Sequence, residues 1–153
     1  MRTFLAATAG LLALWGCRSP DAGLPPAYRA LAVPERVVER APDAARRGRE
    51  LYLASCALCH GEDADGRGVR RSSLSTRPVD FTQRSWCRAT TPRQVYHAVR
   101  EGVDGTAMPA WKALDEDQCW DLVAYLLTVC EGDVATRQEM SRPEKAAPDG
   151  WPP

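Results

Sequence analysis

The stretch Ser55-Cys56-Ala57-Leu58-Cys59-His60-Gly61 places a histidine directly after the second of two cysteines spaced C-x-x-C. Three chemistries use such a pair. A thiol–disulfide switch carries C-x-x-C at a helix start, usually inside a βαβ unit. A structural zinc site needs four ligands. This stretch supplies at most three, and the chain has no second C-x-x-C. The third is covalent haem attachment, for which C-x-x-C-H is the pattern. Two thiols add to the vinyl groups on one edge of the ring, and the adjacent histidine is forced beneath its centre.

The flanking residues are helical. A first helix runs from Asp43, read as its N-cap, through Leu51-Tyr52 into Ser55-Cys56, with Gly48, Tyr52 and Ser55 on one face. A second opens at Thr91-Pro92-Arg93-Gln94, with threonine at the N-cap, proline at N1 and glutamine at N3. Gly102 ends it. A third opens at Asp115 with Gln118 at N3. Leu122, Val123, Leu126 and Val129 follow at helical spacing, and Gly132 closes it. Leu114 and Cys119 take the two places of a hydrophobic staple. No stretch alternates as a strand. The cysteine pair thus ends a helix in an all-α chain, the wrong setting for a thiol switch. The long loops need something to pack on.

The deciding second signal is Gly102-Val103-Asp104-Gly105-Thr106-Ala107-Met108-Pro109-Ala110-Trp111. A thioether suits iron in electron-transfer sites. Met108 lies in a Gly/Pro loop, whereas a core methionine would sit on a helix face. With C-A-L-C-H-G, V-R-E-G-V-D-G-T-A-M-P-A-W and Leu122-Val123-Ala124-Tyr125-Leu126 in view, the chain from about Ala45 to Cys130 resembles the class I c-type cytochromes. The resemblance implies a small cytochrome c fold, all-α, with three main helices and long loops wrapped around one covalently bound haem c. Cys56 and Cys59 would be the thioether sites, His60 the proximal ligand and Met108 the distal one. Gly48 and Tyr52 would meet the Tyr125 helix where it crosses the first. Pro78 is the candidate carbonyl for the histidine's other N–H, and the Trp86 indole a candidate donor to a haem propionate. His97 is the alternative axial ligand, disfavoured by its mid-helix position.

Cys87, Cys119 and Cys130 remain. The last two are about 16 Å apart along one helix, beyond the roughly 7 Å that a disulfide spans. Cys87 can therefore pair with either. The resemblance brings the start of the second helix near the end of the third, which implies Cys87–Cys130 and a buried free thiol at Cys119. The run Asp63-Ala64-Asp65-Gly66-Arg67-Gly68 has an acidic look, but the twelfth place of an EF-hand loop would be Leu74, so a solvated turn is read and no calcium expected.

The ends of the chain are read separately. Residues 1–16 carry a short positive start and an apolar run of signal-peptide length. Leu14-Trp15-Gly16-Cys17 resembles a lipobox, implying a lipidated Cys17. Arg18 in place of aspartate favours the outer membrane. Residues 17–42 are proline-rich and read as an extended tether, 43–132 as the haem domain, and 133–153 as a disordered proline-rich tail. The formal charge is zero, which argues against nucleic acid. The phenylalanines are only Phe4 and Phe81, a thin aromatic core that a large cofactor would supplement. The resulting expectation is an electron carrier, not an enzyme. It would be lipid-anchored in the bacterial cell envelope, facing the periplasm and exchanging electrons with redox proteins there. The alternatives are an electron-entry subunit of a larger membrane oxidoreductase, or a haem enzyme acting on peroxide or a small gas.

Overall fold

The computed structural model describes residues 19–130 and Gly132. Seven α-helices, one 3-10 turn and no strand are found among them. The leader, Cys17 and the 133–153 tail lie outside the described residues. In chain order the helices are α1 (Pro26–Arg29), α2 (Glu35–Val38), α3 (Pro42–Ser55), α4 (Ala57–His60), α5 (Arg84–Ala89), α6 (Pro92–Glu101) and α7 (Glu116–Cys130). The fold is all-α with three long helices, α3, α6 and α7, as the sequence led one to expect.

The crossing of α3 and α7 organises the core. A Cβ on Gly48 would lie 1.9 Å from the carbonyl oxygen of Asp121 and 3.0 Å from the amide nitrogen of Leu122. Only glycine lets the two backbones approach so closely. One turn on, the rings of Tyr52 and Tyr125 meet with centroids 5.1 Å apart. The same crossing carries a bidentate ion pair, Arg47 Nε to Asp121 Oδ2 at 2.7 Å and Arg47 Nη2 to Asp121 Oδ1 at 3.1 Å. Asp121 is buried while Arg47 is half-exposed. The planar guanidinium fixes the register of the helices while keeping one edge in water.

The caps of α6 and α7 follow the sequence reading. Thr91 Oγ1 accepts from the Gln94 amide while Gln94 Oε1 accepts from the Thr91 amide. Asp115 and Gln118 repeat the arrangement at the start of α7. The start of α3 differs. Its N-cap is Ala41, with Pro42 in the first turn and Asp43 inside the helix. Proline has the fixed φ that N1 wants and lacks a donor not needed there. Asp43 instead places its charge near the positive end of the helix. Cys87 of α5 is bonded to Cys130 at the end of α7, with Cα atoms 5.5 Å apart, and Cys119 is a fully buried free thiol.

The largest departure is the segment expected to be an extended tether. Residues 19–41 form a strap across α6 and α7 that includes α1 and α2. Val37 is completely buried, with Tyr28, Leu31 and Val33 packed beside it on the core. Buried Asp21 accepts from Thr91 Oγ1 and, at 3.2 Å, from Arg93 Nη1. Arg93 Nε also donates to the Leu31 carbonyl at 2.8 Å, and Gln94 Nε2 to the Pro20 carbonyl at 2.9 Å. At the other end Arg36 pairs with Asp117 and reaches Asp121 at 3.6 Å. Prolines break the periodicity of this segment, but long-range polar anchors and one buried valine hold it down.

Candidate functional site

Tyr52, Ser55, Cys56, Cys59, His60 and Met108 line one cavity of about 350 Å³. Cofactor pockets span roughly 300–1,000 Å³. Val95, Ala98 and Val99 of α6 and Leu122 and Leu126 of α7 give it an apolar wall. The cavity explains the long loops: residues 74–81 and 103–111 fold over it instead of forming a core of their own.

His60 ends α4, and its position is tied from several sides. Its carbonyl accepts from the Gly66 amide at 2.7 Å. Its Nδ1 lies 3.2 Å from the Val79 carbonyl oxygen. A carbonyl can only accept, so Nδ1 carries the proton and Nε2 keeps its lone pair, the form in which imidazole binds a metal ion. Burial also lowers the histidine's pKa against the opposing pull of the Val79 hydrogen bond, which favours the neutral ring. The Phe81 ring stacks on the imidazole at 4.8 Å. Phe81 is fixed in turn: its amide donates to the Ala64 carbonyl at 2.8 Å, and the Cys87–Cys130 bridge lies against its own carbonyl. The Tyr52 hydroxyl donates to the Gly61 carbonyl at 2.7 Å, and burial pushes that phenol's pKa up, so it stays a donor.

The carbonyl at His60 Nδ1 therefore belongs to Val79, not to Pro78. Pro78 does line the cavity. The 3-10 turn at Arg71–Ser73 and the Phe81–Ala64 hydrogen bond set the register of the 74–81 segment, and they present the next carbonyl along.

The cysteines lie in the same cavity. Burial, and then the neighbouring Cys59, pushes the Cys56 thiol up to about 11. A thiol used for disulfide exchange needs a depressed pKa, so the switch reading finds no support. No three His, Cys, Asp or Glu side chains converge as a metal-ion ligand set among the described residues. The zinc reading thus lacks its four donors.

Met108 sits in the loop after α6. Gly102 ends that helix at φ +76°, and a Cβ there would lie 2.8 Å from the Met108 carbonyl oxygen. This glycine both stops the helix and lets the 108–110 backbone pass over it. Thr106 Oγ1 donates to the Val103 carbonyl at 2.7 Å and accepts from the Met108 amide at 3.1 Å. The Trp111 amide donates to the Val99 carbonyl at 2.9 Å and fastens the far end.

Trp86 lines the cavity with its ring edge-on to Phe81 at 4.9 Å. A second indole was not singled out in the sequence. Trp111 also lines the cavity, and its Nε1 is buried without an acceptor among the described residues, as is Trp120 Nε1. An unpaired buried donor costs about 1–3 kcal/mol. The M-P-A-W run was the available signal for Trp111. Soft thioether, neutral imidazole, two cysteines and apolar wall together fit a haem. His97 is not among the lining residues; it packs edge-on to Tyr28 at 4.5 Å. No helix among the described residues is long and apolar enough to cross a membrane.

No curated protein matches the chain. Among solved structures, it is similar to a chain of the Kuenenia stuttgartiensis reducing HAO-like protein complex. The identity is 27% and the TM-score 0.47, and the match covers 54% of this chain and 41% of that one. Residues 43–126 match the family described as cytochrome c oxidase, cbb3-type, subunit III. The chain belongs to that family of c-type cytochrome domains, whose cofactor is haem c and whose general work is electron transfer.

Proposed function

We propose that this chain is a one-electron carrier of the bacterial cell envelope. It holds a single haem c through thioether bonds at Cys56 and Cys59, takes His60 and Met108 as axial ligands, and is anchored to the membrane by a lipidated Cys17. The observation that carries the haem reading is the shared cavity. A histidine with its Nδ1 proton committed to Val79 and a loop methionine line the same apolar space as the C-x-x-C pair. When bound, the haem would supply a one-electron ferric/ferrous couple. The chain's own part is to hold two ligands in place, so that little reorganises when the charge changes, and to keep water away from one wall. A methionine ligand raises the potential relative to a second histidine. The test is the spectrum of the exported protein. Met108→Ala should abolish the weak ferric methionine–iron band while the chain keeps its haem. Persistence of that band in the variant would assign the distal place to another residue.

A second reading is favoured by the family's own description, which names an oxidase subunit. On that reading the chain feeds electrons into a larger membrane oxidoreductase. Copurification from native membranes at low detergent separates the two: a stoichiometric partner supports the subunit, and a lone chain supports the carrier.

A further inference from the structure

The docked strap changes what a membrane anchor at Cys17 can do. Cys17 stands two residues before Ser19, where a turn begins: the Ser19 carbonyl accepts from the Ala22 amide at 2.9 Å. Pro20 and Asp21 are then fastened to α6 through Gln94, Arg93 and Thr91. An undocked segment from Cys17 to Asp43 would reach roughly 90 Å at about 3.5 Å per residue. The stretch from Cys17 to the Asp21 clamp reaches at most about 14 Å. The strap has converted a long leash into a short one.

The exit point also matters. Gln94 holds the Pro20 carbonyl and at the same time lines the cavity that contains His60 and Met108. The chain therefore leaves the folded body beside the cofactor cavity, at the α6 N-terminus. We infer that this face, around Thr91 and Gln94, is seated against the lipid surface, so that the domain is a fixed relay at the bilayer and not a swinging carrier. Its partners must bring their redox centres to the membrane surface near the cavity. The inference rests on the reading of Cys17 as lipidated.

The experiment is neutron reflectometry on the full lipidated chain bound to a supported bilayer, a readout that does not depend on haem loading. The wild type should show a protein layer in contact with the headgroups. A variant with twenty Gly/Ser residues inserted between Arg18 and Ser19 leaves the strap docked. It should add a hydrated gap of about 25 Å, the mean span of such a linker. D21A/R93A should move the layer outward by releasing the clamp. If that variant does not fold, the insertion alone decides. Equal layer positions for the wild type and the insertion variant, both bound, would overturn the leash while leaving lipidation standing. Failure of the wild type to bind bilayers would remove the lipid anchor, and the leash with it.

Discussion

The two proposed iron ligands are held in opposite ways. His60 is fixed by residues distant in sequence. The Val79 carbonyl accepts from its Nδ1, Phe81 stacks on its ring, and a disulfide between α5 and α7 backs Phe81. Met108 is fixed mostly by its own loop, through Thr106, Val103 and Gly102, and residues 103–107 are exposed. Local opening free energies follow buried contacts and long-range ties. The histidine wall is therefore part of the global fold, whereas the methionine wall is a loop that can open by itself.

The largest effect should come from removing the attachment itself. Cys56→Ser with Cys59→Ser should abolish covalent haem, seen as loss of the haem-staining band on a denaturing gel. Next, Phe81→Ala strikes the histidine wall. It removes a buried ring that touches Tyr52, His60 and Trp86, and should cost about 3 kcal/mol of global stability in thermal or denaturant unfolding. Met108→Ala strikes the other wall and should cost about 1 kcal/mol, because the side chain is half-buried in an exposed loop. Its main effect should be a fall in reduction potential, read by redox titration. If Met108→Ala unfolds the protein as readily as Phe81→Ala, the asymmetry is wrong. The smallest change is Thr106→Val, which removes two hydrogen bonds worth about 1 kcal/mol together. It should bring forward the loss of the methionine–iron band on denaturant titration and leave the global midpoint nearly unmoved.

The same division governs what the sequence reveals. Thr91/Gln94 and Asp115/Gln118 are legible because a cap is made by residues three apart. Gly48 and the Tyr125 helix are legible because the family resemblance pairs two faces that a single helix cannot explain. The strap is not legible. Helices of four residues, α1 and α2, are too short to show a period of 3.6. Their anchors, such as Asp21 with Arg93, are joined only in space. The exchange of Pro78 for Val79 as the partner of His60 has a similar origin. One residue of register is set by a 3-10 turn and by the Phe81–Ala64 hydrogen bond, neither of which leaves a periodic trace. Trp111 stood in a motif read for its methionine. Its place in the cavity wall emerges only from the fold.

The proposed function requires one haem bonded to this chain at Cys56 and Cys59. Intact-mass spectrometry of the denatured, exported protein tests it directly. The expected result is the mass of the processed chain plus one haem, and the mass of the chain without haem for the double serine variant. A folded, exported wild-type chain carrying no haem mass would contradict it.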